Sequence, residues 1–171
     1  MNRRAYRILI LSAAVLAAAL LWVAAGRGKA PRFTLTTDQG NTISPSKFGG
    51  KLLVLNFWAS WCAPCAEEIP TLDNFQRRFA QQGVVVLGVS VDREEQPYRE
   101  FLNRVHVSYQ TGRDPLAERG LAARFGTVQF PETYVIDSAG RVVIKIGGPQ
   151  NFMDPDFGAD IQTLLSGKKL N

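Results

Sequence analysis

The sequence predicts an α/β sandwich, a central mixed sheet covered by helices, with one apolar segment set in front of it. Three observations predict this. Two continuous apolar runs, Leu52 to Trp58 and Val84 to Val91, have the length and bounds of buried strands. The first is followed by a stretch with Ile69, Leu72, Phe75 and Phe79 at the spacing that lines one face of a helix. Near the end, two strand-like segments flank the turn residues Asp137-Ser138-Ala139-Gly140, and a last helical pattern follows. Strands interleaved with helices and closed by a hairpin and helix form a layered α/β domain.

In chain order, the first segment is set apart by charge. The net charge is +5, but residues 1–32 hold Arg3, Arg4, Arg7, Arg27, Lys29 and Arg32 and no acid. Taking these 6 from the 20 basic residues leaves 14 against 15 acidic ones, a net of −1 for the remainder. The basicity therefore belongs to the N-terminal segment, and a nucleic-acid partner is not expected. Ile8 to Ala25 carries no charge, and a run of this length can cross a bilayer core of roughly 30 Å at about 1.5 Å per residue. Residues 1–30 are expected to be a membrane anchor with its linker from Gly26 to Pro31, and residues 31–171 a single domain. A cleaved signal peptide ending at Val23-Ala24-Ala25 is the alternative, although the run exceeds a usual signal-peptide core. Lys and Arg are nearly balanced about the run, and the expected topology leaves the basic tail inside and the domain outside.

Phe33 to Thr37, the turn Asp38-Gln39-Gly40-Asn41 and Thr42-Ile43 predict a small hairpin, and Ser44-Pro45 to Gly49-Gly50 a short helical turn and loop. After the strand Leu52–Trp58, a helix is expected over Ala63–Gln82, stopped by Gly83 and bent at Pro70. After the strand Val84–Val91, Asp92 and Glu95 have the spacing of a capping box opening a helix to about Arg104. Val105–Tyr109 is expected to be a short strand or extended piece, and Asp114-Pro115 to open a helix ending at Phe125-Gly126. Thr133–Ile136 and Arg141–Ile146 form the hairpin, and the last helix spans about Asp156 to Ser166.

The chemistry is concentrated in Phe57-Trp58-Ala59-Ser60-Trp61-Cys62-Ala63-Pro64-Cys65-Ala66-Glu67-Glu68-Ile69-Pro70, which holds the only two cysteines. The pair stands where a strand gives way to a helix N-terminus. The first N–H groups of a helix lack partners within it and the dipole places partial positive charge there, so a thiolate is favoured. Cys65, one turn further in, is placed to close a disulfide with Cys62. Structural zinc usually requires four ligands; with one histidine, His106, and no further cysteine, the chain lacks them and no metal is expected. A purely structural disulfide would close too short a loop to remove much unfolded-state entropy. A redox-active dithiol is the reading that remains.

Phe57-Trp58-Ala59, Trp61-Cys62, Pro64-Cys65 and the later Pro70 resemble the active-site signature of the thioredoxin superfamily. The resemblance extends over about residues 31–166 and implies a thioredoxin-like fold. Two departures point to the TlpA/ResA/CcmG (DsbE) group of membrane-anchored members. Asn56 stands where thioredoxins carry a buried Asp, and Glu68 matches that group's acid three residues after the second cysteine. The helical insertion before the terminal hairpin also fits. The resemblance implies that Cys62 attacks a substrate disulfide, that Cys65 resolves the mixed disulfide, and that Ala63 and Pro64 tune the redox poise. It gives Glu68 the proton of Cys65; the residues alone equally allow a first-turns acid favoured by the helix dipole. Phe130-Pro131-Glu132-Thr133 matches the superfamily's cis-proline loop, with Phe130 offering a backbone edge to substrate. Trp61 is expected to cover Cys62 and contact partners, Trp58 to be core, Glu67 to face solvent and His106 to be structural.

The expected function is that of an extracytoplasmic, membrane-tethered protein-disulfide reductase at the bacterial inner membrane, with its domain on the periplasmic side. It needs no cofactor beyond the Cys62–Cys65 pair. The resemblance implies exported disulfide-containing proteins as substrates, apocytochrome c among them (Pro131-Glu132-Thr133 resembles the CcmG branch), and a membrane thiol reductase as electron donor. A disulfide-forming oxidase or isomerase would use the same residues. A peroxiredoxin-like peroxidase is disfavoured by Ser60-Trp61 before Cys62, and a metal-delivery module would have only His106 as a further ligand.

Overall fold

The computed structural model describes residues 28–116 and 119–170. The apolar segment Ile8–Ala25 lies outside the described residues, among which no helix is long and apolar enough to cross a membrane. The described elements are β1 (Leu35–Thr36), β2 (Thr42–Ile43), β3 (Leu52–Trp58), α1 (Ala63–Phe79), β4 (Val84–Ser90), α2 (Glu95–Val105), β5 (Gln110–Arg113), α3 (Leu121–Arg124), β6 (Glu132–Asp137), β7 (Val142–Gly147) and α4 (Pro155–Leu165).

Five strands form a mixed sheet in the order β5-β4-β3-β6-β7. β3 pairs in parallel with β4 and antiparallel with β6, and β6 pairs antiparallel with β7. Every residue of β3 is buried, because both faces of this central strand are covered. Alternation sends Leu52, Val54 and Trp58 to a core with Ile69, Leu72, Phe75 and Phe79 of α1, Tyr98 and Phe101 of α2, and Phe157 and Ile161 of α4. Leu53, Leu55 and Phe57 join a second core with Phe33, Ile43, Phe48, Leu121 and Tyr134. This double covering is why β3 reads as an uninterrupted apolar run. Asn56, the one polar residue in it, shares the strand face of Val54 and Trp58, the side covered by α1.

Several elements differ from the sequence expectation. The fifth strand is Gln110–Arg113, not Val105–Tyr109. Val105 ends α2, and His106 follows it in the left-handed conformation (φ 50°) with its N–H donating to Leu102 O. Polar Gln110 and Thr111 can stand in a strand because the β1–β2 hairpin supplies partners: Thr37 Oγ1 donates to Gln110 Oε1 at 2.8 Å and Thr111 Oγ1 to Asp38 Oδ2 at 3.0 Å. The helix expected from Asp114 is one turn, α3; Asp114 does accept the N–H of Leu121, from seven residues upstream. The expected capping box at Asp92 does not form. α2 begins at Glu95 without a side-chain cap, and the Asp92 carboxylate is engaged by serines. The Ser44–Lys47 segment is a turn closed by two reciprocal 3.0 Å backbone bonds, without a helix. α1 continues through Pro70, followed by a 3-10 turn and by Gly83 at φ 100°.

Part of the segment expected to be linker is held in the fold. Gly28, Lys29 and Ala30 are held against the β6–β7 turn: Ala30 N–H donates to Gly140 O at 2.8 Å, Val142 N–H to Gly28 O, and Lys29 bridges Arg141.

Candidate functional site

The site lies at the C-terminal end of β3, where the chain turns through Ala59–Trp61 into α1. Cys62 occupies the N-cap of α1, and its Sγ accepts the Cys65 N–H at 3.3 Å. A sulfur here faces the unpaired N–H groups and the positive end of the dipole. Pro64 stands in the first turn, where a missing N–H leaves no bond unmade. Cys62 and Cys65 form a disulfide with their Cα atoms 5.3 Å apart. In this oxidised form Cys65 is fully buried and Cys62 is only 6% exposed.

The turn is fastened by a residue that sequence reading placed elsewhere. Asp92, buried just past β4, accepts the Ser60 N–H at 2.9 Å and Ser90 Oγ–H at 2.6 Å on Oδ2, and Ser60 Oγ–H at 2.8 Å on Oδ1. Only the pairing of β3 with β4 brings residues 60 and 92 together. The one sequence signal was an acid directly following a buried strand, which equally announces a helix cap.

β6 brings the second half of the site. Pairing of Phe57 with Glu132 sets the Phe130–Pro131 peptide, which is cis, beside the cysteine turn. The Trp61 ring, 68% exposed, meets Phe130 edge-on at 5.8 Å. Trp61 and the half-buried Phe130 thus stand at the surface edge of the disulfide, with Pro131 buried behind them, while Trp58 is buried and stacked on Tyr98. A groove of about 840 Å³ runs from this edge, lined by Val91, Pro97, Ala122 and Val128 among others.

Beneath the cysteines lies a buried polar group. Glu68, one turn past Cys65 on α1, is 3% exposed. Its Oε1 accepts Asn56 Nδ2–H and its Oε2 the Gln150 N–H, both at 2.7 Å. Burial raises the carboxyl from 4.5 to about 7, against the opposing pull of the Gln150 and Asn56 hydrogen bonds. Asn56 spends its second amide hydrogen on Thr133 Oγ1 at 2.9 Å, and its Oδ1 has no partner among the described residues. The network links α1, β3, β6 and the β7–α4 loop. A buried carboxyl that changes charge near neutrality, one helical turn from a buried cysteine, can take up or release a proton.

Glu67 is exposed, as expected. His106 is also exposed, at the end of α2, and is not brought to the cysteines. Among the described residues no group of three or more His, Cys, Asp or Glu is placed to hold a metal ion.

Comparison with known proteins agrees with this geometry. Residues 27–145 match the model of the AhpC/TSA family. The chain is 28% identical over 122 residues to the thiol-disulfide oxidoreductase ResA of Bacillus thuringiensis subsp. konkukian, covering 71% of this chain and 69% of that one. It is 39% identical over 101 residues to the thiol:disulfide interchange protein HelX of Rhodobacter capsulatus, covering 58% and 54%. A solved Chlorobium tepidum structure named for the thiol:disulfide interchange protein DsbE superposes with a TM-score of 0.73 at 27% identity, covering 81% of this chain and 97% of that one. With a disulfide-forming Cys-x-x-Cys at a helix N-terminus and relatives of these names, the chain belongs to the AhpC/TSA family, as a thioredoxin-like thiol–disulfide oxidoreductase of the TlpA/ResA/CcmG kind.

Proposed function

We propose that the protein is a membrane-tethered, extracytoplasmic reductase of disulfides in exported proteins, apocytochrome c being one candidate. The observation that carries this reading is the Cys62–Cys65 pair at the α1 N-terminus with Glu68 buried one turn below it. In the reduced enzyme the Cys62 thiolate attacks one sulfur of the substrate disulfide. That bond breaks, a mixed disulfide forms, and the departing substrate sulfur takes a proton. Cys65 gives its proton to the Glu68 carboxylate and attacks Cys62 Sγ; the mixed disulfide breaks, the second substrate sulfur leaves as a thiolate and takes that proton from Glu68, and Cys62–Cys65 is oxidised. Two electrons and two protons pass to the substrate, one proton from Cys65 by way of Glu68 and one from solvent, which balances the proton lost when Cys62 ionised. Trp61 and the Phe130–Pro131 edge hold the substrate strand against the sulfurs, and Ala63 and Pro64 tune the potential. Asn56 donates to Glu68 and so favours its charged form.

A dithiol donor must restore the reduced pair, and outside the cytoplasm, where disulfides persist, a membrane thiol reductase fits that need. The uncharged run Ile8–Ala25 supports tethering. The reductase reading is tested by the equilibrium reduction potential of Cys62–Cys65 against a glutathione or dithiothreitol buffer. A value close to the roughly −270 mV of thioredoxin is expected; one close to the roughly −120 mV of a strong oxidant would make the protein a disulfide-forming catalyst.

A further inference from the structure

At the end of the sheet remote from the cysteines, a cleft of about 590 Å³ opens between the start of β3, the β6–β7 turn and the segment after α4. Leu52, Val142, Leu164 and Leu170 are among its apolar lining; among the described residues Lys51, Arg141, Lys168 and Lys169 are its basic side chains and Asp137 its only acidic one. Asp137 is already paired with Arg141 at 2.7 Å. Lys51, Lys168 and Lys169 are exposed and make no ion pair among the described residues. Lys29 adds a further exposed charge beside Arg141. This local excess of positive charge sits on a domain whose net charge past residue 32 is slightly negative.

Gly28 lines the same cleft and is fastened to Val142. Only three residue steps separate it from Ala25, the end of the uncharged run, a reach of at most about 11 Å. The cysteine turn lies at the other end of β3, about 20 Å away at the rise of a strand. A chain anchored through Ile8–Ala25 therefore has no slack with which to choose its orientation, and this cleft is the face it brings to the bilayer. We infer that the basic cleft is a docking site for anionic phospholipid headgroups, which sets the domain on the membrane with its disulfide directed away from the surface. The inference rests on reading Ile8–Ala25 as an anchor. Charge complementarity identifies the occupant: each lysine near an anionic surface favours docking by roughly fivefold, and the leucines flank the headgroup contacts.

The test is hydrogen–deuterium exchange on the full chain in nanodiscs of phosphatidylcholine, with or without phosphatidylglycerol. Amides of residues 138–143 and 164–170 are expected to exchange several-fold more slowly in the anionic discs, with residues 60–66 and 126–131 unchanged. The Lys51→Glu, Lys168→Glu, Lys169→Glu variant should lose that protection while reducing a small soluble disulfide at the parental rate. A chain held in the discs whose residues 138–143 and 164–170 exchange in both lipids as fast as they do in detergent overturns the docking site and leaves the anchor intact. Equal protection in both lipids, unaffected by charge reversal, overturns it in favour of cover by apolar contact or by the chain's own N-terminal segment. Release of the chain from membranes by alkaline carbonate overturns the anchor and the docking site with it.

Discussion

Glu68 is the residue of the site whose acid–base chemistry the fold alters. Its carboxyl is held at about 7 rather than 4.5, with burial as the dominant cause. An acid whose folded-state value is raised contributes most to stability while it is protonated, and that contribution is lost as pH rises from 4.5 towards about 7. Denaturant titrations of the oxidised protein should show a loss of about 3 kcal/mol across that window, and Glu68→Gln should flatten it. The same variant should slow resolution of the mixed disulfide by roughly 10²-fold while leaving the initial attack of Cys62 near the parental rate. Single-turnover kinetics across pH separate the two steps. Asn56 acts on Glu68 from the opposite side. Asn56→Ala removes a donor to the carboxylate, so the Glu68 titration in the pH–rate profile should move above about 7. Leaving Thr133 and Glu68 short of a buried partner should also cost about 1–3 kcal/mol in a denaturation curve.

At the scale of elements, the active-site turn depends on its neighbour strand. Cys62 owes its helix-terminal position to the β3–α1 turn, and that turn is tied to the end of β4 by the three hydrogen bonds that Asp92 accepts from Ser60 and Ser90. Asp92→Ala should cost about 1–3 kcal/mol through the unpaired buried donors it leaves. It should also change the alkylation rate of reduced Cys62; an unchanged rate with lowered stability would confine Asp92 to a purely structural role. The same strand explains which elements could be read in advance. β3, β4 and α1 were legible because burial on one or both faces imposes a pattern along the chain itself. β5 was not, since Gln110 and Thr111 take their partners from a hairpin about seventy positions earlier, and no local pattern records that.

For the whole molecule, the two ends of the sheet carry different work. The cysteine turn, the cis peptide and Glu68 occupy one end, while the chain enters at the other through Gly28–Ala30, pinned to the β6–β7 turn. On the proposed anchoring and docking, inserting a Gly/Ser segment between Arg27 and Gly28 should weaken lipid-dependent protection of residues 138–143, because a longer flexible link lowers the effective concentration of the cleft at the membrane. Exchange measurements on the full chain in anionic nanodiscs check this, and the reduction potential should not move. The sequence by itself determined the α/β class, the Cys62–Cys65 pair, the Phe130–Pro131 segment and the charge division at the N-terminus, because each is written in neighbouring residues or in composition. The tertiary structure alone decided that Asn56, Thr133 and the Gln150 N–H converge on Glu68, that Asp92 holds the cysteine turn, and that Lys51, Arg141, Lys168 and Lys169 share one cleft. Those arrangements depend on strand order and register, which join residues far apart in the chain.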